Sequence, residues 1–161
     1  MFKENRHSVV VYSDYASVRS EIIRWGEAKW WPKDSNMRFV RLTPRPVQKG
    51  TRYKQEVLLP FAPTWEVEVE NIDETSITRR FLNGMFKGFE TVSFADRAGV
   101  IEIKYRMHYE VQGLFNCLLW PLFFQALHDR NIEAILTNLK SFLEKKEFSE
   151  NSGLDKGRVS S

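Results

Sequence analysis

The amino-acid sequence predicts an α+β fold in the order β-α-α-β6-α, with a curved antiparallel sheet of seven strands wrapped around a long C-terminal helix. Three observations lead to this. First, Leu114, Cys117, Leu118, Pro121, Gln125, His128, Ile132, Ile135, Leu136, Leu139 and Leu143 recur at the three- and four-residue spacing of one buried helical stripe, within a stretch running to Lys146. Second, the six segments ahead of that stretch change to a period of two. Third, a helix of this span is on the order of 45 Å long at ~1.5 Å per residue, more than twice the ~17–20 Å of a typical strand. Such a helix covers a whole sheet rather than one corner of it.

The elements follow in chain order. His7 to Tyr12 is a Val-rich strand. Ser13 or Asp14 supplies an oxygen to cap a helix on which Val18, Ile22, Ile23 and Trp25 keep helical spacing up to Gly26. A second short helix or turn carries Ala28, Trp30 and Trp31 and stops at Pro32, and 33–36 is a loop. Strands are predicted at 37–43, 51–59, 65–71, 75–82, 86–94 and 100–111, with Pro44, Pro46, Gly50, Pro60, Pro63, Asp73, Asn83, Gly84, Asp96 and Gly99 in the turns between them. Trp65, Val67 and Val69 alternate with Glu66, Glu68 and Glu70. Ile101, Ile103, Tyr105, Met107, Tyr109 and Val111 alternate in the same way with Glu102, Lys104, Arg106, His108 and Glu110. Alternation of this kind belongs to a sheet with one wet and one covered face. Residues 148–161, rich in Ser, Gly and charge, read as a disordered tail, which leaves 1–147 as a single domain.

Composition narrows the function. With 161 residues, 42% of them hydrophobic, the chain can build a core without disulfides or metal. Cys117 is its single cysteine and Met1 to His7 is polar rather than apolar, so a reducing, cytoplasmic location is the expectation. The longest apolar run, Leu114 to Leu127, is broken by Asn116, Pro121 and Gln125 and falls short of the ~20 residues of a spanning helix. A net charge of +3 with scattered cations argues against a nucleic-acid partner. There is no phosphate-binding glycine loop, nucleophile elbow or Cys pair, and His7, His108 and His128 lie on separate elements, so neither cofactor nor metal is expected. Aromatic residues make up 14%, including 12 Phe and 5 Trp, and surplus rings commonly line pockets.

Four segments carry a resemblance to a known family. Ile23-Arg24-Trp25-Gly26-Glu27-Ala28-Lys29-Trp30-Trp31-Pro32 resembles a Trp-rich stretch ending in Trp-Pro after a first helix, and Gln48-Lys49-Gly50-Thr51-Arg52-Tyr53 a Gly-led strand entry. Thr64 to Val69 resembles the following strand, and Asn131 to Glu144, with Leu136, Asn138, Leu139, Lys140 and Leu143, the Asn-Leu-Lys pattern of a terminal helix. Together with the order of elements they resemble the START-like, polyketide-cyclase/dehydrase superfamily (SRPBCC), over roughly residues 6–146. The resemblance implies the helix-grip fold and a cavity between sheet and helix. It does not choose among the lipid carriers, hormone and pigment binders, cyclases and chaperone regulators that share that scaffold, and it brings no catalytic motif.

The candidate cavity comprises Trp30, Trp31, Tyr53, Gln55, Val57, Trp65, Val67, Arg79, Phe81, Tyr105, Met107, Tyr109, Leu118, Gln125, His128 and Ile132. The composition is that of a small-molecule site, apolar walls with a few orienting polar groups; the alternative is that these side chains meet and leave no void. His128 either touches a ligand, as acid or base, or is a buried histidine satisfied by a strand tyrosine. Arg79 shares a strand face with Ile77 and Phe81, while a shift of register by one residue would put it in water. Trp25, Trp30 and Trp31 are placed near the entrance, as covers for a ligand or as core anchors. Leu119, Trp120, Phe123 and Leu127 form an apolar back on the helix. That back would serve a homodimer, a membrane surface or a protein partner, unless it packs on the short helices or a kink at Pro121 rotates it. The preferred function is non-catalytic binding or transport of a hydrophobic small molecule such as a lipid, polyketide, isoprenoid or pigment. The second is a cyclase or dehydratase in which His128 and Tyr109 move protons, and the third an interaction protein using the apolar back.

Overall fold

A computed structural model describes residues 1–60 and 62–155 of the chain, with side chains through 149. Seven strands make one antiparallel sheet: β1 (Lys3–Val11), β2 (Met37–Arg41), β3 (Arg52–Val57), β4 (Thr64–Ile72), β5 (Ser76–Phe81), β6 (Phe86–Asp96) and β7 (Ile101–Val111). The spatial order is β1-β7-β6-β5-β4-β3-β2, so strands β2 to β7 follow one another as neighbours and β1 adds to the far edge. β1 begins at Lys3 rather than at His7, because β7 is long enough to pair it from Lys3↔Tyr109 to Val11↔Ile101.

Helix α1 (Tyr15–Ile23) is capped by Asp14, whose carboxylate accepts the Ser17 amide at 2.9 Å. The second short helix does not form. Residues 24–31 are consecutive turns, held by Glu27 N donating to Arg24 O at 2.9 Å and Trp31 N donating to Ala28 O at 3.1 Å. Gly26 is the reason, since its φ of +85° ends the helix and a Cβ there would meet the Phe39 ring at 2.5 Å.

The terminal helix is not continuous. It comprises α2 (Leu114–Leu119), a π-helical turn (Trp120–Phe124) and α3 (Gln125–Asp155). Pro121 offers no amide, and Gln125 N bonds Trp120 O five residues back instead of four. One extra residue in a turn advances the helical phase by about 100°. The faces on its two sides therefore do not line up: Leu118 is 61% exposed while Trp120 is 1% exposed. The segment 148–155, read from the sequence as tail, is the last part of α3, and 156–161 lie outside the described residues.

Beyond the turn the stripe is as predicted. Ile132, Ile135, Leu136, Leu139 and Leu143 are buried in one core with Val67, Val69, Ile77, Val92, Ile103 and Met107 of the sheet. Burial of each such aliphatic side chain stabilises the fold by about 1.5–3 kcal/mol. Along β1 the helix is also fastened by polar contacts, with Lys140 Nζ donating to Val10 O at 2.7 Å and Tyr12 N to Glu144 Oε1 at 3.1 Å. No helix among the described residues is long and apolar enough to cross a membrane.

Candidate functional site

Where the helix lies over the sheet, the covered face is not uniformly apolar. Arg79 on β5 stands opposite Glu90 on β6, and both are buried, at 0% and 2% exposure. Gln55 on β3, Tyr105 on β7 and His128 on α3 complete a buried polar cluster. Glu90 accepts from Gln55 Nε2 at 2.8 Å through one oxygen and from Tyr105 Oη at 3.1 Å through the other. Trp65 Nε1 donates to the Gln55 carbonyl. The Tyr105 hydroxyl also lies 3.4 Å from His128 Nε2. Burial, with the Glu90 carboxylate against its oxygen, drives the Tyr105 phenol well above the ordinary tyrosine range and keeps it protonated.

Arg79 is held differently. Its Nη1 is 3.5 Å from Glu90 Oε1, and its guanidinium carbon stands 5.8 Å from the Tyr53 ring, yet Nε, Nη1 and Nη2 have no hydrogen-bond partner among the described residues. The same holds for Tyr53 Oη, Trp25 Nε1, Asn131 Nδ2 and His128 Nδ1. Desolvation raises the Tyr53 phenol, with the Arg79 charge opposing it. At the outer end of the cluster His128 Nδ1 and His7 Nε2 stand 3.7 and 3.5 Å from one oxygen of Asp129, which also accepts from Asn5. The nearby His128 is the main cause of a lowered Asp129 carboxyl pKa.

An open chamber was expected between sheet and helix; side chains fill most of it. A void of about 10 Å³ between them, enough for a single water, is lined by Met37, Val57, Trp65, Trp120, Phe124, Leu127, His128 and Asn131. Trp120 forms part of its wall, donating Nε1 to Tyr109 Oη at 3.1 Å and packing edge-on against Phe86 at 4.6 Å. A broader concavity, about 510 Å³, lies on the outer face along β1, β7 and β6; there Arg106 and Lys104 are already paired with Glu4 and Glu102.

Of the predicted cavity residues, Val57, Trp65 and His128 line the void. Tyr53, Gln55, Val67, Arg79, Phe81, Tyr105, Met107, Tyr109 and Ile132 are buried around it, and Gln125 is half-buried. Leu118 is on the outside, because the π turn rotates it away from the stripe. Trp30 and Trp31 do not cover an entrance. They pack edge-on against Trp25, which stacks on Tyr105 at 6.1 Å, and their indole nitrogens donate to Glu21 Oε2 at 2.8 Å and Met37 O at 3.1 Å. The apolar back is also redrawn: Trp120 is buried and Leu127 half-buried, and the exposed set is Leu114, Phe115, Leu118, Leu122 and Phe123. Tyr109 meets Trp120 rather than His128, which meets Tyr105. Glu90 and Asn131 were not singled out from the sequence, and Trp120 was read as part of the apolar back rather than as a residue of the interior. For Glu90 the signal was present, since it falls in phase with Val92 and Phe94 on β6.

Solved structures share this arrangement. A START superfamily protein from Mycobacterium smegmatis matches over 88% of this chain and 97% of its own at a TM-score of 0.64 and 13% identity. The chain has the helix-grip fold of the START-like superfamily. Norcoclaurine synthase from Thalictrum flavum, solved as a point mutant with a transition-state analogue, shows the same helix-grip arrangement at a TM-score of 0.65 and 13% identity, covering 91% of this chain and 97% of its own. The di-domain aromatase/cyclase StfQ of steffimycin biosynthesis aligns at 0.67 and 13% identity over 91% of this chain and 52% of that one. No family model and no curated protein sequence matches.

Proposed function

We propose that this chain binds a hydrophobic small molecule between the sheet and α3 and carries it without transforming it. The observation that supports this reading is the way the interior is closed at the α2 end. None of α2's residues is buried, and the adjoining π turn contributes a single buried side chain, Trp120, to the wall of the void. α2 buries little and can move away at small cost, withdrawal of the Trp120 indole being the main expense, while the α3 core stays intact. Lifting it would join the void to the exposed rim of Leu118, Leu122 and Phe123, a path lined by apolar groups from solvent to the polar cluster. Burying the ligand's apolar surface there contributes about 25 cal/mol per Å². The exposed thiol of Cys117 suits a reducing compartment. The same rim would meet a membrane or a second copy when ligand is exchanged. Catalysis has less support, because His128 and Tyr109, the pair that would move protons, do not face one another.

The test is native mass spectrometry of gently purified protein, followed by organic extraction and by titration with the neutral fluorophore N-phenyl-1-naphthylamine. The expected result is a retained apolar compound or saturable probe binding, largely unaffected by His128→Ala. A clean unliganded mass together with no saturable probe signal would remove the proposal.

A further inference from the structure

We infer that the ligand is an acid: a hydrophobic molecule whose carboxylate is received by Arg79, with Tyr53 and Asn131 as further donors. This deepens the binding proposal and rests on it. The argument begins with an imbalance of donors over acceptors. A guanidinium carries five N–H groups and no acceptor. At Arg79 it is fully buried, and none of its three nitrogens makes a hydrogen bond among the described residues. Glu90 is the carboxylate facing it; one oxygen accepts from Gln55 Nε2 and the other from Tyr105 Oη, and the contact to Arg79 Nη1 is an ion pair at 3.5 Å without a hydrogen bond. Glu90 thus offsets the charge of Arg79 without using its hydrogen-bonding capacity.

Trp25 Nε1, Asn131 Nδ2 and Tyr53 Oη, also buried and unpartnered, can each donate, while the role of His128 Nδ1 depends on its tautomer. Asn131 Nδ2 donates only, and the Tyr53 hydroxyl carries a proton that burial holds more firmly than in water. An ammonium head would bring donors alone to a site already oversupplied with them. A carboxylate brings two oxygens and about four acceptor positions, and its planar fork matches the guanidinium edge. The route to Arg79 is also marked. Asn131 and His128 line the void, and Trp65, another lining residue, is joined through Gln55 and Glu90 to the guanidinium. Arg79 and Tyr53 do not line the void themselves, so an acid that enters it reaches them only as Trp65 and Gln55 give way.

The test uses three ten-carbon probes, decanoate, decanol and decylammonium, each below its micelle concentration, with affinities measured by calorimetry at pH 7. Decanoate is expected to bind at least tenfold more tightly than decanol, and decylammonium more weakly than either. Tyr53→Phe keeps the ring and removes the hydroxyl; it should weaken decanoate several-fold and leave decanol unchanged. Arg79→Met should abolish the preference for the acid. Should that variant fail to fold, the carboxyl carbon of labelled decanoate gives a direct reading in the unaltered protein: bound acid should keep its ionised chemical shift to lower pH than free acid. Equal binding of decanoate and decanol, with no effect of Tyr53→Phe, would overturn the acid assignment and leave the carrier reading standing, the buried donors then being met by water. Binding of none of the three would remove both.

Discussion

Glu90 is the residue on which the interior electrostatics turn. It faces a buried guanidinium and accepts from Gln55 and Tyr105. Breaking a buried ion pair by removing one partner leaves the other uncompensated, a loss of about 3–5 kcal/mol. Glu90→Gln is therefore expected to lower unfolding stability by about that amount, measured by urea denaturation, and the double variant Arg79→Met/Glu90→Gln to be more stable than Glu90→Gln alone. A double variant no better than the single one would mean that the charge of Arg79 is met elsewhere. Tyr105 gives a second readout at this scale. Its phenol is raised by burial and by Glu90, so its contribution is fully present below the unfolded-state value near 10 and is lost as pH rises through the folded value. Stability should fall above about pH 10, less steeply in Tyr105→Phe, and the native protein should show less than the full phenolate absorbance of its five tyrosines until it unfolds. The inward placement of Arg79 was readable from its neighbours Ile77 and Phe81. That of Glu90 was readable in principle from β6, although Gly88 interrupts the apolar alternation. What no strand pattern contains is which atoms lack partners, because that depends on side chains from five strands and α3 meeting in one place.

At the scale of elements, the division of the terminal helix into α2, π turn and α3 separates a fixed part from a loose one. Between Asn131 and Leu143 α3 buries six residues, whereas α2 buries none, starts at Gly113 without a side-chain cap and is held by its own backbone, by Asn116 Nδ2 donating to Gln112 O at 2.8 Å and by Cys117 Sγ at 3.3 Å from Val111 O. Local opening is cheapest where few apolar contacts are broken. Amides of 114–119 should exchange with deuterium well before those of 132–143, and Pro121→Ala should slow that exchange by allowing an ordinary four-residue turn. Uniform protection from 114 to 143 would contradict a mobile closure. The sequence could place this helix and its C-terminal stripe, since a 3.6-residue period survives wherever the helix is regular. It could not place the stripe's first half, because a single inserted residue changes the phase without changing the composition. Pro121 marked the spot, but a proline at that position fits a kink, a break or a π turn equally well, and the differing exposures of Leu118 and Trp120 follow only from the last.

For the whole molecule, alternation and turn residues were sufficient to specify seven strands in sequence, while the space between sheet and helix depended on how large side chains fit, which no periodicity encodes. The pH response is likewise a property of the whole chain. Hydrogen bonds from Ser17 hold the Asp14 carboxyl below its ordinary value, those from the Thr75 amide and its neighbours do so for Asp73, and His128 with Asn5 does so for Asp129. On the outer face Arg6 lowers Glu4, Lys54 and Arg38 lower Glu56, and Lys104 and Arg97 lower Glu102, although exposed pairs of this kind are strongly screened. All of these shifts have one sign. A carboxyl whose folded value is depressed contributes stability that is complete above its unfolded value, near 4, and disappears as pH falls through the folded one. The net charge of +3 at pH 7 also grows more positive over that interval, adding repulsion. The thermal midpoint should accordingly be nearly flat from about pH 6 to 9 and fall progressively below about pH 4.5. Asp73→Asn tests the origin of that fall: it should lower the midpoint at pH 7, where the hydrogen bonds from Thr75 and Ser76 favour the charged form, and reduce the acid slope, because one fewer group takes up a proton on unfolding. An acid slope unchanged in both Asp73→Asn and Asp129→Asn would place the acid sensitivity in general charge repulsion instead of in these native hydrogen bonds.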